Sequence, residues 1–168
     1  MSTIEMIFGD FEQEMANTRK TLERLPNDKW DWKIHEKSNT IGWVAGHLAE
    51  IPKWTTSALK LDSLDLCPPD APALQPACPK TREETLELFD KNLAEAKEAF
   101  ATVDVEDLHK PWSLLQSGTP LFTMTKLAVI RTWVINHTVH HRAILTVYFR
   151  VNDIPVPALY GPSGDEES

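Results

Sequence analysis

Long apolar runs are missing from this chain of 168 residues: no stretch approaches the roughly 18 consecutive apolar residues that a membrane span requires. A secretory start is missing too. The opening "MSTIEMIFGDFEQEM" carries acidic residues where a signal peptide needs a basic start followed by an apolar run, so a cytoplasmic protein with no membrane partner is expected. Cysteine is scarce: Cys67 and Cys78 lie in a proline-rich connection rather than in a metal-like CxxC, and two are too few for a disulfide framework. They are expected to be reduced thiols. No basic stripe offsets the formal charge of -8, which argues against nucleic acid as a direct partner. Internal repeats are absent, as is any strand-like alternation long enough to compete with a helical period.

What remains is a globular composition, 42% hydrophobic, at a length that suits one domain over residues 1–168. Such a chain buries roughly 70% of its unfolded surface. The first pattern, "STIEMIFGDFEQEMANTRKTLERL", spaces Ser2 and Glu5 as a capping box and sets Ile4, Ile7, Phe8, Phe11, Met15, Thr18, Leu22 and Leu25 at helical intervals before Pro26. A tryptophan-bearing connector leads to a second helix from Asn39 or Thr40, with Ile41, Val44, Leu48, Ile51 and Leu59 on its apolar face. Pro52 cannot donate to the carbonyl of Leu48 and is expected to kink this helix one turn after His47. The stretch "LDSLDLCPPDAPALQPACPK" then places five prolines where no continuous helix can form. A third helix is expected from Thr81, with Glu84 at capping-box spacing, to about Ala101. An irregular stretch with Pro111, Gly118 and Pro120 precedes a last helix from about Thr123 to Arg150. These features predict an all-α fold, a four-helix bundle with long crossover connections. The terminal "PVPALYGPSGDEES" has no helical period, and a mobile acidic tail is expected at 163–168.

The chemistry concentrates in "NHTVHHRAIL", where three histidines fall within five positions of the last helix. Residues advance about 100° each in a helix, so His137 and His141 lie about 40° apart on one face and one turn apart along the axis. The stripe through Leu127, Ile130, Val134, Ile144, Leu145 and Tyr148 turns this pair toward the interior, where imidazoles are costly unless their nitrogens find partners. A divalent metal is one such partner; a carbonyl or carboxylate is the ordinary alternative for any single histidine. His140 could also pair with His137 by the i,i+3 rule, and spacing alone leaves that choice open. A catalytic metal usually has three protein ligands and one open position, and His47 on the second helix offers the third. Two familiar patterns fail. A zincin needs glutamate where Thr138 stands, and a bundle di-iron site needs glutamate where Val134 stands.

The segments "LERLPNDKWDWKIHEKSNTIGWVAGHLAEIPKW", "NHTVHHRAILTVYFR" and "NDIPVPALYGPSGDEES" resemble the DinB/YfiT-like family of metalloenzymes, over nearly the whole chain. The resemblance implies a four-helix bundle, often a homodimer, holding a nickel or zinc ion on one histidine of the second helix and an HxxxH pair of the last. Carried over, it makes His47, His137 and His141 the metal ligands and leaves His140 outside the set. Many relatives have "HHRGQ" where this chain has Ala143 and Ile144, which separates it from any substrate that depends on that glutamine. The family includes transferases of low-molecular-weight thiols, thiol-dependent isomerases and members named only for DNA-damage induction.

The resulting expectation is a metal-dependent enzyme acting on a small molecule, in which the ion activates water or a low-molecular-weight thiol; a hydrolase and a thiol S-transferase fit equally. Glu50 is the candidate base or partner to a ligand histidine, against the plain reading of a solvated helix charge. Arg142 is the candidate to bind a carboxylate on the substrate or thiol, against that of a surface ion pair. Trp43, Trp54 and Trp133 have core or pocket-wall packing as their ordinary explanation. The competing class is a non-catalytic metal-binding module, a stress-response or ligand-binding dimer, whose structural metal would be closed by a fourth protein ligand such as Glu50.

Overall fold

The computed structural model describes residues 3–167. Helix α1 (Thr3–Leu22) buries the stripe its periodicity predicts, including Ile7, Phe11, Met15 and Leu22. Ser2, one half of the expected capping box, lies outside the described residues. Helix α2 (Ile41–Lys60) starts where the sequence places it: Thr40 is its N-cap, and the Thr40 hydroxyl accepts the Trp43 N–H at 3.1 Å. It continues through Pro52, and next to the carbonyl that this proline leaves without a helical donor, Ala49 O accepts from the buried Asn92 amide at 2.8 Å. Gly42 and Gly46 make a notch one turn long. A Cβ at Gly42 would lie 2.1 Å from the Trp30 indole, and one at Gly46 would lie 3.0 Å from Pro79. Trp30 fills the notch and donates to Pro79 O at 3.1 Å, which lays the proline-rich connection along α2.

Helix α3 (Arg82–Thr102) is capped by Thr81, whose hydroxyl accepts the Glu84 N–H at 3.1 Å. The Glu84 carboxylate takes the Lys80 N–H at 2.7 Å, one residue earlier than a regular capping box. Helix α3 packs most extensively on α2 and also on α1, where Phe100 meets Phe8 and Phe11 at ring separations of 5.2 Å.

The all-α expectation needs correction, since the fold is mostly helical but includes a small sheet. Strands β1 (Ser63–Asp65), β2 (Pro111–Gln116) and β3 (Thr119–Thr125) lie in that order, β1 parallel and β3 antiparallel to β2. Ser117 and Gly118, with φ of 51° and 77°, make the two-residue turn that the twist of a hairpin favours. The Asp65 carboxylate accepts the Ser117 and Gly118 N–H groups at 3.0 and 2.7 Å, tying β1 to that turn. Trp112, Leu114, Phe122 and Met124 share the face that packs on the helices.

The last helix therefore starts at Lys126 and not Thr123, with Thr125 as its N-cap. It is composite. Helix α4 (Lys126–Val129) passes into a π-helical segment (Ile130–Asn136), and α5 (His137–Val151) completes it. Buried Lys126 donates to Leu59 O at 3.1 Å, capping the C-terminal end of α2. Residues of the acidic tail, expected to be mobile, bond to the body: Asp165 pairs with Arg150, and Glu166 with Arg24. Among the described residues no helix is long and apolar enough to cross a membrane.

Candidate metal centre

Helix α2 supplies His47 and α5 supplies His137 and His141, all half-buried. Helical spacing sets the last two face to face, with ring centroids 4.6 Å apart and planes inclined by 27°. The His47 ring lies 5.0 Å from His137 and 4.5 Å from His141. Its Nε2 is 3.0 Å from His137 Nε2, and one ligand nitrogen from each of the three lies within 4.8 Å of the others. Four ligands at 2.0–2.1 Å in a tetrahedron have their nitrogens roughly 3.3 Å apart, so the trio suits one small divalent ion. His141 Nδ1 is buried with no hydrogen-bond partner in the structure. No carboxylate joins the group among the described residues, so nothing there favours a proton on these rings.

Burial pushes the His47 imidazole down to about 4, reinforced by the nearby His137. Burial also pushes His141 down to about 3, with His47, His137 and His140 adding to the effect, and lowers His137 in the same way. All three rings are therefore neutral near pH 7, the form that binds metal. Below the ordinary histidine value of 6.5 the unfolded chain takes up protons that His47 and His141 refuse until about pH 4 and 3. Stability of the metal-free protein is accordingly expected to fall as pH drops through that window and to be insensitive to these groups above it. Urea unfolding at pH 7.5, 6 and 4.5 measures this, and a flat midpoint would contradict it.

Three tryptophans surround the trio. Trp43 stacks on His47 at 4.9 Å and 20°, although 46% of it is exposed. Trp54 presents an edge-on contact to both His47 and His137, at 5.9 and 5.7 Å, and Trp133 lies 6.0 Å from His137. The sequence carried the signal: Trp43 and Trp133 each precede a histidine by four residues, one helical turn. The π-helical segment that ends just before His137 carried none. Such segments are rare and frequent at functional sites.

The other site expectations fare differently. His140 is exposed, 4.9 Å from the His141 ring, and outside the nitrogen cluster. Glu50 is also outside it; its Oε1 accepts the Ala77 N–H at 2.8 Å and so holds the proline-rich connection against α2. Glu50→Ala is expected to cost roughly 1.5–3 kcal/mol of stability, as for other hydrogen bonds to a charged group, while leaving metal content unchanged. Chemical denaturation alongside elemental analysis would check this, and loss of metal would return Glu50 to the centre. Arg142 is not the surface pair of the plain reading. Only 1% exposed, its guanidinium is committed to the Glu14 carboxylate, the Tyr160 hydroxyl, Thr18 Oγ1 at 3.0 Å and Glu14 O at 2.9 Å.

The family model described as the DinB superfamily matches residues 10–145, a span that runs from α1 into α5 and includes all three histidines. The chain belongs to the DinB superfamily. Among solved structures, the crystal structure of a DinB-like protein from Bacillus cereus ATCC 10987 superposes with a TM-score of 0.72 at 23% identity. The match covers 93% of this chain and 97% of that one, so the DinB-like fold extends well beyond the segment the family model spans. No curated protein matches.

Proposed function

We propose that this DinB-superfamily protein is a metal-dependent enzyme, a hydrolase or a thiol S-transferase acting on a small molecule. Its ligands would be His47, His137 and His141, and the four helical stretches would form a four-helix bundle with the proline-rich and hairpin-bearing connections as crossovers. The observation that carries the reading is the cluster of three neutral-leaning imidazoles with no fourth protein ligand among the described residues, the donor set of an open site. Held by His47, His137 and His141, a divalent ion such as nickel or zinc would supply Lewis acidity and would lower the pKa of a water or thiol toward neutrality. The chain's own contribution is to keep the imidazoles deprotonated by burial and to hold their rings between Trp43, Trp54 and Trp133. The closed, structural site of a non-catalytic module needs another protein ligand, and the reachable one, Glu50, bonds to Ala77 instead.

An open cleft of about 570 Å³ borders His137, His140 and His141 and would give substrate access. Wild type loaded with nickel or zinc would be screened for transfer of low-molecular-weight thiols to 1-chloro-2,4-dinitrobenzene and for hydrolysis of 4-nitrophenyl esters. Turnover in either assay that disappears in His47→Ala is the expected result. Activity equal in wild type and His47→Ala would overturn the reading. The homodimer belongs to the same proposal and is testable by sedimentation velocity.

A further inference from the structure

A second cavity, of about 330 Å³, lies between α2, the sheet and the start of the composite helix. Leu64, Leu114, Phe122 and Val129 line it together with Trp54 and Trp133. At roughly 30 Å³ per molecule this is space for about eleven waters, far more than the water-sized voids usual in a packed interior. Apolar walls hold water poorly, so a matching hydrocarbon surface would displace it favourably.

Two side chains join this cavity to the histidines. Trp54 lines it and also meets the His47 and His137 rings. Trp133 lines both this cavity and the open cleft beside His137 and His141, making it a partition between the two spaces. Trp133 is also stacked on Phe122, with ring centroids 5.0 Å apart and planes within 7°. The walls thus offer flat aromatic surfaces, and the space suits a planar group of roughly ten non-hydrogen atoms at a few tens of Å³ each.

Resting on the reading of the trio as a metal centre, we infer that the cavity receives an aromatic portion of the substrate, whose reacting group then lies at the histidines across Trp54 and Trp133. The substrate class is a small molecule whose naphthalene-sized aromatic group is joined to the reacting carbon through a short flexible chain that passes Trp54 and Trp133. Lys53, with no ion pair among the described residues, and Glu50, whose carboxylate accepts the Ala77 N–H, also line the cavity, so its polar edge carries one charge of each sign.

The test uses the full chain loaded with zinc, with 2-naphthol as the probe. Saturable binding of about one equivalent is expected by calorimetry. Leu114→Trp and Val129→Phe fill the cavity from opposite walls, and each should weaken binding by at least about tenfold while retaining metal. Leu121→Trp, the same kind of change at a half-exposed position outside the cavity, should bind like wild type. Loading with cobalt in place of zinc should broaden the proton resonances of bound 2-naphthol, a readout that needs no variant and reports nearness to the histidines. Absence of saturable binding, equal binding in the filled variants, or no broadening would each overturn the inference. The two failures separate. Protein that holds zinc but ignores 2-naphthol overturns the cavity assignment alone. Protein that binds 2-naphthol yet stays empty after incubation with zinc or nickel overturns the metal centre, and with it the link between cavity and reaction.

Discussion

Alanine at His47 or at His141 is expected to reduce the metal content of purified protein from about one equivalent to near zero, since a site with three protein ligands keeps only two. The two residues stand on different helices, α2 and α5, so loss in both variants would establish one site that bridges them. His140→Ala is the matched control: it removes an imidazole next to His141 that is exposed and outside the nitrogen cluster, and its metal content should equal that of wild type. Elemental analysis of tag-free protein, before and after incubation with zinc or nickel, gives the answer. An empty wild type after that incubation would leave the three histidines as polar groups of the interior and end the metalloenzyme reading.

Arg142→Met should be strongly destabilising, by about 3–5 kcal/mol, as for other buried pairs that lose one partner. It leaves the Glu14 carboxylate, 12% exposed, without its cation and with the Tyr160 hydroxyl as a remaining donor at 2.6 Å, and removes the donors to Thr18 Oγ1, Glu14 O and Tyr160. The denaturant midpoint should fall with little change in slope. Adding Glu14→Gln should recover much of the loss, because the uncompensated charge then disappears. Metal per folded molecule should stay constant throughout. Unchanged stability with impaired turnover would instead give Arg142 the substrate role expected from sequence.

The helix starts were legible because Thr40 and Thr81 are caps with a plain chemical purpose, and the core of α1 because its apolar residues repeat with a helical period. The histidine pair was legible for the same geometric reason. The sheet was not. Its strands are covered on one face only, and Pro111 begins β2 while Pro120 is the second residue of β3, so the alternation of Trp112 with Leu114 and of Phe122 with Met124 reads as irregular chain. Ser117-Gly118 was the clue available, a two-residue turn signal between those pairs. The π-helical segment has no propensity of its own, and Ile130 and Val134 satisfy an α-helical stripe equally well. Arg142 was misjudged for its charge alone. It falls in line with Thr138, Leu145 and Phe149, all buried, and a charge on such a line demands a partner elsewhere in the chain.

The bonds made by the C-terminal segment have a practical consequence for anyone producing this protein. Tyr160, Asp165 and Glu166 engage Arg142, Arg150 and Arg24, so the segment clasps the far ends of α1 and α5 together. An affinity tag fused after this segment, or a truncation ahead of Tyr160, would compete with or remove that clasp. The safer handle is at the other terminus, with a protease site to release it.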